Sequence, residues 1–397
     1  MDAGLLNSEW AGLWPAELAS ASWPRAGPAV WVGAGRSFAA RPYRSMLGTC
    51  RRGELSMRVL VTGGTGYVGC HTVAALAGQG HQVRLLVRAR DRIAPALDPL
   101  GVAGADAVVG DVTSAAAVEQ AMLGCDAVVH AAAVFSLDPR QAGVMQQANP
   151  AGAATVLEAA QRRGLDPIVC VSTMGVFVPV TGAMLTSETP VGAGIGPYTR
   201  SKIAAELVAR GCQQAGSPVV LTYPAVVQGP HDPHLGDSVR FVRDLLRGRL
   251  PVLPRGRLSF VDVRDVGALH AAVLRPDRGA RRYLLGGPAV EVTEVAALLG
   301  ELTGRRLPQR TAPDWVLQHS GRLADRVQRL LPVRLPASAE QAALPLSIPG
   351  GVVVDDSATR QELAIERREL RETLADTVRW LAARGLVTAR QAGALAG

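Results

Sequence analysis

Tyr198 and Lys202 stand four residues apart in the stretch Tyr198-Thr199-Arg200-Ser201-Lys202. Lys202 is the only lysine among 42 basic residues; all the others are arginine. A guanidinium serves surface charge well, whereas a small ammonium on a flexible stem does different work. Residues i and i+4 share one face of a helix, so the ammonium is expected beside the phenol. There it would favour the phenolate and draw the tyrosine pKa down from about 10 towards working pH. That makes Tyr198 a candidate general acid/base. An amphipathic helix with an exposed lysine and a half-buried tyrosine would produce the same letters, so the pair needs support from the elements around it. A second source of chemistry lies upstream. Ser172 and Thr173 follow the apolar run 167–171, and a hydroxyl at such a strand end can donate to a substrate carbonyl.

The elements that must position these groups alternate between strand and helix from Met57 onward. The apolar, β-branched run 58–62 leads into Gly63-Gly64-Thr65-Gly66-Tyr67-Val68-Gly69 and then a helical pattern to about Gly78. Strand, glycine turn and helix are the context that a dinucleotide fingerprint requires: the glycines allow a tight turn, and the helix N-terminus offers N–H groups to a pyrophosphate. A phosphate-binding loop of the GK[ST] kind is excluded, because no such sequence follows. The second strand, 82–87, ends in Val87 and Arg88 rather than in the acid that holds a ribose 2′-hydroxyl. Arg88 suits a 2′-phosphate, so NADP is favoured over NAD; a solvated loop charge is the plainer reading. The run 107–109 ends in Gly110-Asp111-Val112, where Asp111 either meets an adenine or caps the loop, and Ser114 is the expected N-cap of a helix to Leu123. The strand 126–130 ends in Ala131-Ala132-Ala133, small residues that let backbone lie against a cofactor; His130 reads as structural. Asn149 is expected to open a helix to about Arg163, either as its cap or with an order-keeping hydrogen bond near the site. The Tyr198 helix starts at Pro197, a favoured first position, and a sixth strand, 219–222, ends at Tyr223-Pro224-Ala225. The loop 178–196 reads as part of a substrate lid, and the last dozen residues as frayed.

The chain has 397 residues, 48% of them apolar, and a net charge of +8. The charge is diffuse, which argues against a nucleic-acid partner. The five cysteines (Cys50, Cys70, Cys125, Cys170 and Cys212) are scattered, without metal-ligand spacing, and fit a reduced, cytoplasmic protein with no metal. No apolar run is long enough to span a membrane. Residues 1–56 hold four of the six tryptophans and lack helical or strand period; they read as an extension outside the fold, with Met57 as the expected true start.

Taken together, TGGTGYVG at 62–69, GDV at 110–112, HAAA at 130–133, VST at 171–173, YTRSK at 198–202 and YPAVVQGP at 223–230 resemble the extended short-chain dehydrogenases/reductases of the NAD-dependent epimerase/dehydratase family. The match runs from about Met57 to Val387. The resemblance implies an α/β fold: a Rossmann-type doubly wound parallel sheet over 57–230, with a smaller substrate-binding subdomain over 231–390 that returns some elements to the core. It implies an NAD(P)-dependent oxidoreductase with Tyr198 as acid/base. Lys202 would be its pKa modifier and a ribose contact, and Thr173, or the neighbouring Ser172, would hold the substrate carbonyl. The cofactor would lie on residues 63–69, Arg88, Asp111, Val112, Ala131 to Ala133, Tyr198, Lys202 and Pro224. Val176-Phe177-Val178 lacks a tyrosine common in relatives, and 223–226 lacks an asparagine common in those acting on sugar nucleotides. Both departures point to the dihydroflavonol-reductase-like branch. An apolar wall (Val134, Phe135, Met174, Phe177, Ile195) suits a small hydrophobic carbonyl or alcohol. Arg240, Arg243, Arg255 and Arg257 keep a nucleotide-sugar epimerase or dehydratase with tightly bound NAD as the alternative. A dinucleotide sensor without catalysis is the second alternative. By analogy with the fold, a homodimer through a helix pair is expected.

Overall fold

The computed structural model describes residues 56–330 and 338–396. The expectations for 1–55 lie outside them. Seven strands form one parallel sheet: β1 (Arg58–Thr62), β2 (Gln82–Val87), β3 (Asp106–Val109), β4 (Ala127–His130), β5 (Ile168–Val171), β6 (Val219–Pro224) and β7 (Arg281–Leu285). Their spatial order is β7-β6-β5-β4-β1-β2-β3. Strands β1, β4 and β6 are buried almost throughout, as continuous Val/Leu runs demand when helices cover both faces. Helices α1 (Tyr67–Gly78), α2 (Ala115–Met122), α3 (Ala142–Arg162), α4 (Pro197–Gln214), α5 (Asp237–Leu246), α6 (Val263–Ala272), α7 (Val292–Thr303), α8 (Asp314–Leu330) and α9 (Leu370–Ala383) complete the frame.

The chain leaves β1 towards β2 on one side, and β4 pairs with β1 on the other. This is the switch point where open α/β sheets bind ligands, beyond the carboxyl ends of the strands. The register sets Thr62 beside His130, His130 beside Cys170 and Val171 beside Thr222. The glycine turn, the alanine run and Ser172-Thr173 therefore leave the sheet along one edge.

Two local expectations need correction. Helix α3 starts at Ala142, seven residues before Asn149, and carries Pro150 inside it. Asn149 is thus a mid-helix residue whose amide bonds elsewhere. The described part of the last dozen residues, 386–396, is not frayed. Val387 and Ala392 are buried in a second apolar cluster with Val239 and Leu245 of α5, Val295 and Leu299 of α7, and Leu374 and Val378 of α9. The loop 178–196 is tied down rather than free. Its Gly192 and Gly194 N–H groups donate to Val176 and Val178, Val180 N–H donates to Ser347, and Met184–Leu185 pairs with Val353–Val354.

Candidate active site

At the end of β1 the backbone turns through Gly63 at φ 75°. A Cβ there would lie 2.6 Å from the Ala132 nitrogen, so the glycine turn and the alanine run touch backbone to backbone. Gly69 brings α1 against the Gly63 carbonyl, and a Cβ on Gly64 would lie 2.6 Å from Leu85. Helix α1 begins after Gly66 with no side-chain cap and no acid in its first turn. Its leading N–H groups and positive dipole end are open, with no carboxylate competing for them, and this fits a dinucleotide pyrophosphate. Thr65 and Val68 line the turn, half-buried. The Tyr67 hydroxyl is committed elsewhere: it donates to Gly229 O at 2.7 Å, while His71 Nε2 lies 3.1 Å from Pro230 O. Burial keeps His71 neutral, its pKa pushed down to about 3.

Arg88 is exposed at the end of β2 and joins no hydrogen bond or salt bridge among the described residues. Asp111 accepts from the Thr113 N–H at 2.9 Å and the Thr113 hydroxyl at 2.7 Å. These bonds, with Arg88 nearby, hold its carboxyl below the usual range. Asp111 is therefore a loop cap, and its second oxygen stays open. Val112 packs towards Gly152. Ala131 and Ala132 N–H donate to the Thr62 carbonyl and hydroxyl, and that hydroxyl also meets His130 Nδ1 at 2.8 Å. His130 is buried and neutral, pushed down to about 3.

At the end of β5 the two hydroxyls part company. Thr173 caps the turn Met174–Phe177, accepting from Gly175 N–H at 3.2 Å, and its hydroxyl is near enough to the Tyr198 phenol to lower the phenol pKa. Ser172 Oγ is buried without a hydrogen-bond partner. Lys202 donates to Val171 O at 2.9 Å, so its ammonium sits at the root of the Ser172-Thr173 segment. Burial lowers the Lys202 pKa, while Cys170 and Glu206 draw it back up. The Phe135 ring stands edge-on to Tyr198 at 4.7 Å and is 48% exposed, the outermost apolar surface over the phenol. Phe177 departs from its expected place: it is fully buried against Tyr223, centroids 4.8 Å apart, and belongs to the core rather than a substrate wall. Pro224 is buried at the end of β6.

Two features complete the site: the first is the order-keeping hydrogen bonding that the sequence suggested for Asn149, and the second was beyond sequence reasoning. Asn149 Oδ1 accepts from Val134 N–H at 2.7 Å, and its Nδ2 donates to Val134 O and to Ser201 Oγ at 3.0 and 2.9 Å. One amide thus fixes the segment leading to Phe135 against the Tyr198 helix. Glu340 is the second. Its carboxylate accepts from Tyr198 N–H at 3.0 Å, Thr199 N–H at 2.9 Å and the Thr199 hydroxyl at 2.9 Å. Glu340 is buried, 142 positions after Tyr198, and only its tertiary position reveals it. Its charge bears on the phenol. Burial raises the Tyr198 pKa, Thr173 lowers it, Glu340 raises it further, and the outcome is about 12. The expected lowering by Lys202 does not appear among these influences, because the ammonium is turned to the Val171 carbonyl one helical turn on.

Residues 59–286 match the model of the NAD-dependent epimerase/dehydratase family, and the chain belongs to that family. It is 31% identical, over 82% of its length and 95% of the relative's, to a Synechocystis sp. protein named provisionally as a dihydroflavonol 4-reductase. It is 30% identical, over 83% of its length and all of the relative's, to sterol demethylase protein B of Methylococcus capsulatus. Among solved structures, a dTDP-glucose 4,6-dehydratase, DesIV of Streptomyces venezuelae with NAD and TYD bound, superposes with a TM-score of 0.63 at 26% identity, covering 83% of this chain and 98% of that one. The fold, family and nicotinamide-dependent enzyme class read from the motifs agree with these findings. Among the described residues, no helix is long and apolar enough to cross a membrane.

Proposed function

We propose that the chain is an NAD(P)-dependent oxidoreductase acting on a small hydrophobic carbonyl or alcohol. The observation that carries this reading is the Thr173–Tyr198 hydroxyl pair under an exposed aromatic ring, on the same sheet edge as the open glycine turn. The 57–230 segment would hold the cofactor and 231–390 most of the substrate side. A nicotinamide dinucleotide bound along this edge supplies or accepts the hydride. The chain would hold it with the backbone of 63–69, with Ala131 to Ala133 and Pro224, and with Arg88, whose free guanidinium supports NADP as the preferred form. Asp111 and Val112 would line the adenine end.

In the reducing direction Thr173 donates to the substrate oxygen and Tyr198 gives it a proton as the carbon gains hydride. A phenol raised to about 12 stays protonated at neutral pH and so serves as the acid. Lys202 holds the Val171 carbonyl and places a positive charge at the root of the segment. Its ammonium would also meet the nicotinamide ribose. Ser172 would back up Thr173. The acid/base contribution is roughly 10²–10⁴-fold. Tyr198→Phe should lose turnover by about that factor while still binding NADPH by fluorescence; retained activity would remove the assignment. Arg88→Ala should weaken NADPH about tenfold and leave NADH unchanged, read by titration with both coenzymes. An equal effect on both would return Arg88 to the role of a surface charge.

The rival reading is nucleotide-sugar chemistry, as in the named function of the dehydratase neighbour. The arginines that would serve it are engaged. Arg243 pairs with Asp244 at 2.7 Å, Arg257 donates to Ala289 O, Arg255 to Thr311 Oγ1 and Arg240 to Leu235 O. NAD that co-purifies, with product formed without net redox change, would favour that rival.

A further inference from the structure

Helix α8 carries an unusual outer face. Trp315, Leu323 and Leu330 are 67%, 61% and 83% exposed. At 100° per residue they fall in one stripe with the half-buried Val316 and Val327. Three exposed arginines share this side of the helix: Arg326 falls inside the stripe next to Trp315, as does the exposed His319, while Arg322 and Arg329 run along its edge. None of the three donates a hydrogen bond or joins a salt bridge among the described residues. The helix's two carboxylates, Asp314 and Asp325, are half-buried on the flank beyond the arginines, and Asp325 takes the Ala339 N–H at 3.2 Å. The opposite face is seated tightly. A Cβ on Gly321 would lie 2.8 Å from Ser338 O, and Ala324 and Gln328 are buried.

We infer that α8 is a docking surface for an anionic lipid bilayer. A tryptophan with two leucines alongside a row of basic side chains is the pattern of a helix lying in the plane of a membrane interface, its apolar stripe among acyl chains and its arginines at the phosphates. Arginine stems reach sideways over apolar surface to do this. A second copy of the chain laid face to face would oppose like charges, so the planar anionic surface is the better fit. The helix itself packs close to the candidate site. Helix α8 packs on the turn Pro139–Gln141 and on Ala339–Ala343. The first continues from Phe135, and the second carries the Glu340 that caps the Tyr198 helix. A bilayer held at α8 would therefore lie a short way from the exposed Phe135 ring, a route for lipophilic substrate. No span is involved, since α8 lies on the surface rather than through it.

The test is co-sedimentation of the full chain with phosphatidylcholine vesicles, with and without phosphatidylglycerol. The protein should partition onto the phosphatidylglycerol vesicles and be released by salt. Trp315→Ser with Leu323→Ser should reduce partitioning about tenfold or more, and Arg322→Gln with Arg326→Gln should remove the dependence on anionic lipid. Unchanged thermal melting of each variant shows that the fold is kept. No partitioning, partitioning that survives the Trp315 and Leu323 changes, or a dimer that those changes dissociate would each overturn the inference. Tyr198→Phe should bind vesicles as well as the unaltered chain, which separates this proposal from the catalytic one.

Discussion

Two helix N-termini face the same edge of the sheet and are finished in opposite ways. That of α1 has a glycine for a cap and no acid in its first turn, so its N–H groups remain open. That of α4 is filled from within by the Glu340 carboxylate, which takes two backbone N–H groups and a hydroxyl. The macrodipole attracts an anion to both. At α1 the anion is to be a ligand, and the turn keeps its donors free. At α4 the anion is part of the fold, which fixes the helix but sets a negative charge near the Tyr198 phenol and raises its pKa. Helix position and phenol acidity are therefore coupled: the residue that steadies Tyr198 adds to the rise in pKa that burial chiefly causes.

The contrast can be broken at the open end first. Gly63→Ala forces a side chain onto φ 75° and against the Ala132 backbone. It should cost about 3 kcal/mol of stability and abolish dinucleotide binding; calorimetry with unchanged NADPH affinity would show that the turn is not where the pyrophosphate lies. At the filled end, Glu340→Ala strips acceptors from Tyr198 and Thr199. The expected loss is about 1–3 kcal/mol, seen as a lower melting temperature, with kcat falling more than KM rises. Smallest and most telling is Glu340→Gln, which can keep hydrogen bonds and loses the charge. The anion raises the phenol pKa, so its removal must lower it. In the reducing direction the protonated phenol is the active form, and the alkaline limb of the kcat profile should move to lower pH. A limb that stays in place would leave Glu340 as a helix cap alone.

Local chemistry was legible in the letters. The strand, glycine turn and α1 follow from β-branched residues, permissive glycines and a helical run, and each lies within a dozen residues of the others. Pro197 and Ser114 mark their helix starts as their chemistry predicts. What failed to read depends on distant partners. The start of α3 was misjudged because Pro150 looks like a boundary, yet packing against α4 carries the helix through it. The last dozen residues are mostly small and lack a helical or strand period, but Ala392 finds a cluster assembled from α5, α7 and α9. Glu340 is one acid among many until the chain returns 142 positions later. The influence assigned to Lys202 failed for a related reason. Helical spacing places an ammonium on a face, but the Val171 carbonyl decides where it points.

Asn149 is followed by Pro150, and this sequence has a consequence for the protein's durability. Asparagines age when the next residue's backbone nitrogen attacks the side-chain carbonyl, closing a ring that opens to aspartate. A proline nitrogen carries no hydrogen to lose, so that route is blocked here. Conversion to aspartate would delete the donors to Val134 O and Ser201 Oγ and unfasten the Phe135 segment from the Tyr198 helix. The imino acid that interrupts the helix ladder thus shields from slow chemical decay the one amide that both of those segments rely on.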